Sequence, residues 1–543
     1  MIRRIATVGG LTLVSRLTGF IRDVVMAAVL GAGPMADAFF VAFRLPNHFR
    51  AIFAEGAFAA AFVPAYARTL EQAGLPAAKL FADQIAAALI AINLVLLAFA
   101  LIWTPEVVGL LAPGLADDPM RFDLAIALTR ITFPYLVLVS IETLFAGVLN
   151  ANNRFAAAAG APVLLNLSVV ATLLLAPLFA DAGHAAAWGV LLAGVAQVLL
   201  VGVDAEKHGM GVRFRMPRLD EPTRKFLKAL GPAIIGAGGV QLALFADTLI
   251  ASFLPTGALS ALYYADRINQ LPIGVVGIAV GTVLLPEMSR RLAAGDEKGA
   301  ASAQARGIQL ALLLTIPCAA GAIVIPDLIM RALFARGAFT VSDAAAAGAT
   351  LAAYSIGLLP FVLLRSFTAP FYARGDTASP VKAALLAASV NILLKVLLMD
   401  HLAQVGLALA TSVGAWINLS LLALFARRQG FAVSGAAVGK PVAKLLLAGV
   451  ALAAALFAGA YGLERALAGL SVFREETMLA LLLVLGAMVY GLLVLALLGR
   501  GWLRGLLRDV SAAADTKAPP TLEPPDPTDD SAALPDNEPP PKA

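Results

Sequence analysis

Apolar runs of about 20 to 30 residues recur along almost the entire chain, separated by short polar or Gly/Pro-containing breaks, and runs of this length predict membrane-spanning helices. They are continuous and rich in Leu, Ala and Val. A transmembrane barrel would instead need short segments alternating apolar and polar residues. The pattern predicts about 14 helices, near residues 8–31, 35–65, 82–111, 122–149, 160–181, 185–204, 230–254, 259–288, 307–334, 346–372, 381–400, 402–426, 441–463 and 477–499. The expected fold class is therefore an all-α polytopic membrane protein.

The first two runs break the apolar rule. Between Ser15 and Pro64 lie Arg16, Arg22, Asp23, Asp37, Arg44, Arg50 and Glu55. An ionised side chain at mid-membrane costs at least about 2.5 kcal/mol, so these groups must face water, each other or a charged ligand. Four are arginines, whose planar fork suits phosphate. The two helices are expected to wall a polar cavity that receives an anion.

Composition agrees with a membrane chain: of 543 residues, 60% are hydrophobic and 14% charged. The single cysteine, Cys318, excludes internal disulfides and is expected to be a small core residue. Four scattered histidines (His48, His184, His208, His401) offer no ordinary metal spacing. The basic, apolar start resembles a signal peptide, but Arg16, Arg22 and Asp23 interrupt it, so a retained first span is expected.

Loop charge sets the expected orientation. About 25 basic residues fall on one side against about 5 on the other, which puts both termini in the cytoplasm. The net charge of +5 thus reports topology. Its basic residues are spread over loops without interleaved aromatics, so no nucleic-acid partner is expected. The loop from Lys207 to Lys228 and the stretch GRGWLRGLLRDV read as amphipathic segments on the anionic inner leaflet. After Ser511 the chain becomes acidic and proline-rich, and a disordered tail is expected.

An internal repeat is visible. RDVVMAAVLGAGPMADAFFVAFRLP around Asp23 parallels ADTLIASFLPTGALSALYYADRINQLP around Asp247, and FVPAYAR parallels LLPEMSR. PYLVLVSIETLFAGVLNANNRF likewise parallels PFVLLRSFTAPFYARGDT, all at offsets of about 220 to 226 residues. Six helices per copy keep both copies in one orientation. Two parallel lobes rocking against each other give alternating access to a midplane site. The expected division is 1–204 for the N-lobe, 205–229 for an amphipathic linker and 230–428 for the C-lobe. Two extra helices follow over 429–510, then the tail over 511–543.

Within the spans, Arg16 and Asp23 share a helical face, while Asp37, Arg44, His48 and Glu55 form a stripe that Pro46 interrupts. Ser260, Tyr263, Arg267 and Gln270 line a face of the eighth helix. Structural ion pairs are the plain alternative: Arg16 with Asp23, Arg267 with Asp266 or Asp23, Asp37 with Arg44. Basic residues outnumber acids, however, so Arg16, Arg22, Arg50 and Arg267 are expected to face the anion. Arg130 and Arg365 are expected at helix ends or in lobe packing. Asp247, Asn391, Lys395 and Thr411 form a second set, in which the Lys395 ammonium is expected to occupy a cation position beside Asp247. There is no phosphate loop, nucleophile elbow or H-E-x-x-H motif, and no metal or cofactor is expected.

The stretches SRLTGFIRD, GAGPMADAFFVAFRLPNHFRAIFAEGAFAAAFVP, ALYYADRINQLPIGVVGIAVGTVLLPEMSR and APFYARGDTASPVK closely resemble the MurJ (MviN) family. These are lipid II flippases of peptidoglycan synthesis, within the multidrug/oligosaccharidyl-lipid/polysaccharide (MOP) exporter superfamily. The resemblance runs to about residue 510. It implies fourteen helices, two six-helix lobes and a central cationic cavity in the bacterial inner membrane. The function it implies is flipping of lipid II between leaflets by a monomeric transporter, not an enzyme. Arg16, Arg22, Asp37, Arg50 and Arg267 are the implied substrate-binding residues. Ser15, Asp23, Arg44, Glu55, Ser260 and Gln270 are expected to gate or support them. The last two helices would form a groove for the undecaprenyl tail, with membrane lipids and the cell-wall synthesis machinery as further partners. The chain departs from the family where Gln270 and Lys395 replace acids; the first makes the cavity more positive and the second puts a sodium site in doubt. The alternative is a MOP exporter of another lipid-linked saccharide or a small molecule.

Overall fold

A computed structural model describes residues 2–50, 57–213, 221–433, 435–470 and 472–515, and these form helices joined by short turns. The first half contains α1 (Ile2–Leu30), α2 (Pro34–Arg50), α3 (Ala57–Ile102), α4 (Thr104–Leu111), α5 (Pro119–Thr132), α6 (Tyr135–Ala151), α7 (Ala156–Leu174) and α8 (Ala182–Lys207). The second contains α9 (Glu221–Ser252), α10 (Ala258–Ala293), α11 (Glu297–Val324), α12 (Pro326–Phe334), α13 (Val341–Ile356), α14 (Leu358–Ala373) and α15 (Ala378–Arg428). Then come α16 (Gly435–Ala466) and α17 (Arg474–Asp515).

Among the described residues, nine helical stretches are long and apolar enough to cross a membrane. The chain is an all-α polytopic membrane protein. Its surface is inverted relative to a soluble domain: Leu13, Val95, Leu110, Val450 and Leu492 are each more than two-thirds exposed. The helices α1, α2, α9 and α10 are not among the nine. They are the ones that carry Arg16, Arg22, Asp23, Asp37, Asp247 and Arg267.

Two of the longest helices are hairpins. In α3, Gly74 has φ 76° and ψ 176°, and the rings of Phe62 and Phe81 stack at 5.9 Å. Nineteen residues along a straight helix would separate them by about 28 Å. The chain therefore reverses at Gly74, a left-handed conformation that glycine adopts without penalty. In α15 the reversal is at Ala403 (φ 47°, ψ −129°). Across it, a β-carbon on Gly406 would lie 2.7 Å from the Leu398 carbonyl oxygen, and one on Gly414 would lie 3.0 Å from the Asn391 Cβ. The expected break between residues 400 and 402 is thus a hairpin with almost no loop.

Other expected spans are interrupted. The one placed at 35–65 comprises α2 and the start of α3, with residues 51–56 outside the described residues. The helix expected at 82–111 begins just after Gly74 and breaks at Trp103, ahead of Pro105. Those expected at 122–149 and 307–334 break at Phe133–Pro134 and at Ile325, where proline cannot donate to the preceding turn. Helical structure persists to Asp515 after a turn at Gly499 (φ 83°), through the first five residues of the expected tail; the rest of that tail lies outside the described residues. Cys318, expected in the core, is exposed on α11.

Left-handed residues punctuate both halves at a constant spacing. Gly31 and Gly257, Gly74 and Gly295, Asn153 and Gly375, Gly209 and Gly430 all have positive φ, and the members of each pair stand 221 to 226 residues apart. At one end of the molecule an aromatic cluster joins the halves. Phe40 from α2 stacks on Tyr263 from α10 at 4.0 Å, and Tyr264 packs against Phe334 and Phe339.

Candidate functional site

The charged residues of α1 and α10 meet across the interface between these halves. Arg22 and Asp23 are buried, 8% and 3% exposed, in the middle of an apolar helix. Arg22 donates from Nε and Nη2 to Asp23 Oδ1 at 3.1 and 2.7 Å, and from Nη1 to the Asn166 carboxamide oxygen at 3.0 Å. The Tyr263 hydroxyl lies 3.3 Å from Arg22 Nη2 and 3.1 Å from Asp23 Oδ1. Arg267 places Nε 3.8 Å from Asp23 Oδ2 and its guanidinium carbon 4.7 Å from the centre of the Tyr263 ring. One carboxylate is thus shared by two guanidinium groups.

Arg16, two turns before Asp23 on the same face of α1, is exposed and lies against Gly274 of α10, with Nη1 2.5 Å from where a β-carbon would stand. It has no ion-pair partner among the described residues. Asp266 accepts from the Gln270 amide and lies in the fields of Arg267 and Arg44. The site's core therefore holds four arginines (Arg16, Arg22, Arg44, Arg267) and two aspartates (Asp23, Asp266). A net positive charge remains after internal pairing. Such a seam attracts an anion strongly, because a low-dielectric wall screens little.

Asp37 is placed differently from expectation. Its side chain is fully buried and sits at the N-terminus of α10, accepting from Gly257 N at 2.7 Å, Ser260 N at 3.0 Å and Ser260 Oγ at 2.6 Å. Its ionic partner is Arg121, at 3.5 Å, rather than Arg44. A helix start offers unsatisfied N–H groups and a positive dipole end, so a carboxylate there is a strong tie. It binds α2 to α10 and sits within a wider seal. Ala338 N donates to Ala28 O at 2.7 Å, Gly114 N donates to Ser252 Oγ at 3.0 Å, and a β-carbon on Gly337 would meet Ala28 O at 2.2 Å.

The remaining candidates divide. Ser15 contributes its carbonyl, which accepts from Asn166 Nδ2 at 3.0 Å and from Thr18 Oγ1 at 3.1 Å. Lys395, 3% exposed, pairs with Asp247 across α15 and α9. The neighbouring Asn391 oxygen is buried without a partner, while Thr411 turns onto its own helix, donating to Leu407 O at 2.9 Å. The Arg50 and His48 side chains and all of Glu55 lie outside the described residues. Arg130 donates to Thr104 Oγ1 at 3.4 Å, and Arg365 lies beside Gly277 and Gly281 of α10. Two contributors were not foreseen. Asn166 is a lone amide in the run APVLLNLSVV, a signal available in the sequence, whereas Arg121 reads only as a loop cation.

Comparison with known proteins identifies the family. The sequence matches the family profile described as "Lipid II flippase MurJ" over residues 26–497. It is 42% identical over 462 residues to a probable lipid II flippase MurJ of Rhizobium meliloti, covering 84% of this chain and 86% of the relative. To the lipid II flippase MurJ of Burkholderia cenocepacia it is 35% identical over 435 residues, covering 79% and 84%. In fold it is similar to a solved lipid II flippase MurJ in an inward closed conformation (TM-score 0.75, 24% identity, 92% and 99% covered). An inward-facing multidrug resistance transporter of the MOP superfamily is more distant (TM-score 0.62, 16% identity, 76% and 94% covered). The chain belongs to the MurJ lipid II flippase family.

Proposed function

We infer that this protein is a transporter that flips lipid II, the lipid-linked peptidoglycan precursor, across the inner membrane by alternating access. Family membership supplies the substrate. The observation that carries the residue assignment is the sharing of Asp23 between Arg22 and Arg267, with Arg16 exposed nearby.

Lipid II carries a pyrophosphate between its sugar-peptide head and its polyprenyl chain. Arg22, held by Asp23, Asn166 and Tyr263, is the fixed cation that sets the field. Arg16 and Arg267, the more exposed members, grip the pyrophosphate through charge-assisted hydrogen bonds, and Arg44 and Arg50 act on the head group. Asp37 and Ser260 act as the gate that holds the far end shut. The polyprenyl tail stays in lipid along α16 and α17.

The architecture behind this reading is fourteen spans, six in each of two parallel lobes and two beyond them. The matched spacing of left-handed residues supports the duplication, and the hairpins at Gly74 and Ala403 support the count. The bias of Lys and Arg puts both termini in the cytoplasm, so the sealed end is periplasmic. Binding of the anion offsets the cationic seam and lets the lobes close on the cytoplasmic side while the seal opens. Membrane potential draws the empty cationic site back inward, at about 2.3 kcal/mol per charge per 100 mV. In the C-lobe the Lys395 ammonium stands in for a bound cation beside Asp247. Lys395→Ala that leaves transport and folding untouched would discard that role.

The test is replacement of the flippase in a depleted bacterium. Wild type should restore growth and outer-leaflet lipid II, while Arg16→Ala, Arg22→Ala and Arg267→Ala, inserted at equal levels, should not. Normal outer-leaflet lipid II during depletion of the protein in its own host would overturn the function.

A further inference from the structure

A second charged site lies away from the arginine seam, at the end of the molecule that holds the turns before α12 and α17. A pocket of about 250 Å³ opens there between α12 and the α16–α17 pair. Charges of both signs line it: Asp327 and Arg331 from α12, Glu464 from α16, Arg474 and Glu475 from α17. Arg331 reaches Asp327 at 2.8 Å and Glu475 at 3.6 Å, and Arg474 donates to the Glu464 carbonyl at 2.8 Å. Three buried polar atoms among these residues have no hydrogen-bond partner: Nε of Arg331, Nε of Arg474 and Oδ1 of Asp327. Two are donors and one is an acceptor. A ligand that matches this lining offers both an acceptor and a donor.

The pocket also has an apolar exit. Tyr461 and Phe457 border it at 56% and 70% exposure, and Val450 and Leu446 continue the same exposed face of α16. That stripe covers about 22 Å at 1.5 Å per residue, enough for a chain crossing one leaflet of a core about 30 Å thick.

We propose that this pocket seats the head group of an amine-bearing zwitterionic phospholipid. Its phosphate meets Arg331 and Arg474, its ammonium meets Asp327, Glu464 and Glu475, and an acyl chain follows the α16 stripe. Three carboxylates against two guanidinium groups disfavour a pyrophosphate, which brings only negative charge. The two arginines disfavour a bare divalent cation. The bound lipid ties α12 to the α16–α17 pair, so the two added helices travel with the second half of the protein. The assignment does not rest on the transported substrate.

The experiment uses the full chain in nanodiscs of defined lipid, with bound lipid counted by native mass spectrometry after detergent release and the melting temperature recorded in parallel. Phosphatidylethanolamine should be retained about tenfold over phosphatidylglycerol, with phosphatidylcholine between them. Glu464→Gln, at an exposed position, and the double variant Glu464→Gln/Glu475→Gln should reduce that preference stepwise while lipid-free melting stays near wild type. Equal retention of the three lipids, or an unchanged preference in a variant with normal lipid-free melting, overturns the proposal. Displacement of the retained lipid by inorganic pyrophosphate overturns it in favour of an anion site. Should the double variant fail to fold, Glu464→Gln alone decides.

Discussion

Asp23 and Asp37 lie on the first helical hairpin and face the same partner, α10, yet they are used in opposite ways. Asp37 is fully buried and satisfied by backbone and hydroxyl donors at the start of α10. Asp23 is held by Arg22 and Tyr263, with Arg267 at 3.8 Å. A carboxylate bound by a helix start releases only if the backbone moves, so it behaves as a lock. A carboxylate shared among cations can be rebalanced by an incoming anion with side-chain motion alone. On the function proposed above, the difference separates where the molecule would sense its load from where it would open.

The largest effects should come from the shared site. Arg267→Ala and Arg22→Ala should each abolish rescue of a flippase-depleted strain, read as colony formation at matched membrane levels. Arg22→Lys should fail as well, because a point charge cannot span Asp23, Asn166 and Tyr263 as the planar fork does. Rescue by Arg22→Lys would reduce Arg22 to a bare charge and blur the contrast with Asp37.

Breaking the lock should give a smaller, conformational effect. Asp37→Asn keeps the shape but loses charge, and a hydrogen bond to a charged group is worth about 1.5–3 kcal/mol. The closed-to-open ratio at the sealed end should fall by about 10- to 100-fold. A cysteine at Ala36, buried in wild type, placed in a Cys318→Ser background should react correspondingly faster with a membrane-impermeant maleimide. Gly337→Ala should act in the same direction, since φ is 61° and its β-carbon would clash with Ala28 O. Unchanged labelling in both variants would show that Asp37 only stabilises the fold.

How each carboxylate is used was unequally legible in the sequence. Arg22, Asp23 and Arg267 announce themselves, because charge inside an apolar run has few places to go. The pairing of Asp37 does not, since its main partners are backbone amides some 220 residues away and backbone carries no sequence signal. The spacing rules offered Arg44 on the same stripe, and tertiary packing substituted Arg121 from α5. That the chain is an all-α membrane protein was readable from the apolar runs, and the hairpin near residue 400 with it. Positions of the breaks were less so: Gly74 reverses α3 by adopting a left-handed conformation, whereas Pro46 lies inside α2 without ending it. Burial was read wrongly for Cys318, because an outward-facing position in lipid is as apolar as a core.

Asn166 refines the comparison from the shared side. Its amide joins Arg22 to the Ser15 carbonyl, positioning the guanidinium without adding charge. Asn166→Leu removes that support, and a hydrogen bond to a charged group is worth about 1.5 kcal/mol at the low end. Transport should drop about tenfold rather than vanish, measured as the rate of lipid II appearance in the outer leaflet. A total loss would mean that Arg22 collapses without it.

The smallest effect isolates what a carboxylate does when neither lock nor load is involved. Asp376 lies in the exposed turn between α14 and α15, where Ser379 and then Gln429 donate to it, at 2.9 Å from Ser379 N and 3.2 Å from Gln429 Nε2. These bonds hold its carboxyl down to about 2, below the ordinary 3.8. A depressed folded value contributes stability above the unfolded value and loses it as the pH falls through the folded one. Asp376→Asn should therefore lower the melting temperature slightly at pH 6, and the gap to wild type should close progressively between about pH 5 and pH 1. Maleimide labelling at position 36 should not change in this variant. If labelling does change, the end of the molecule sealed by Asp37 is coupled to the opposite turn, and opening is not controlled by the lock alone.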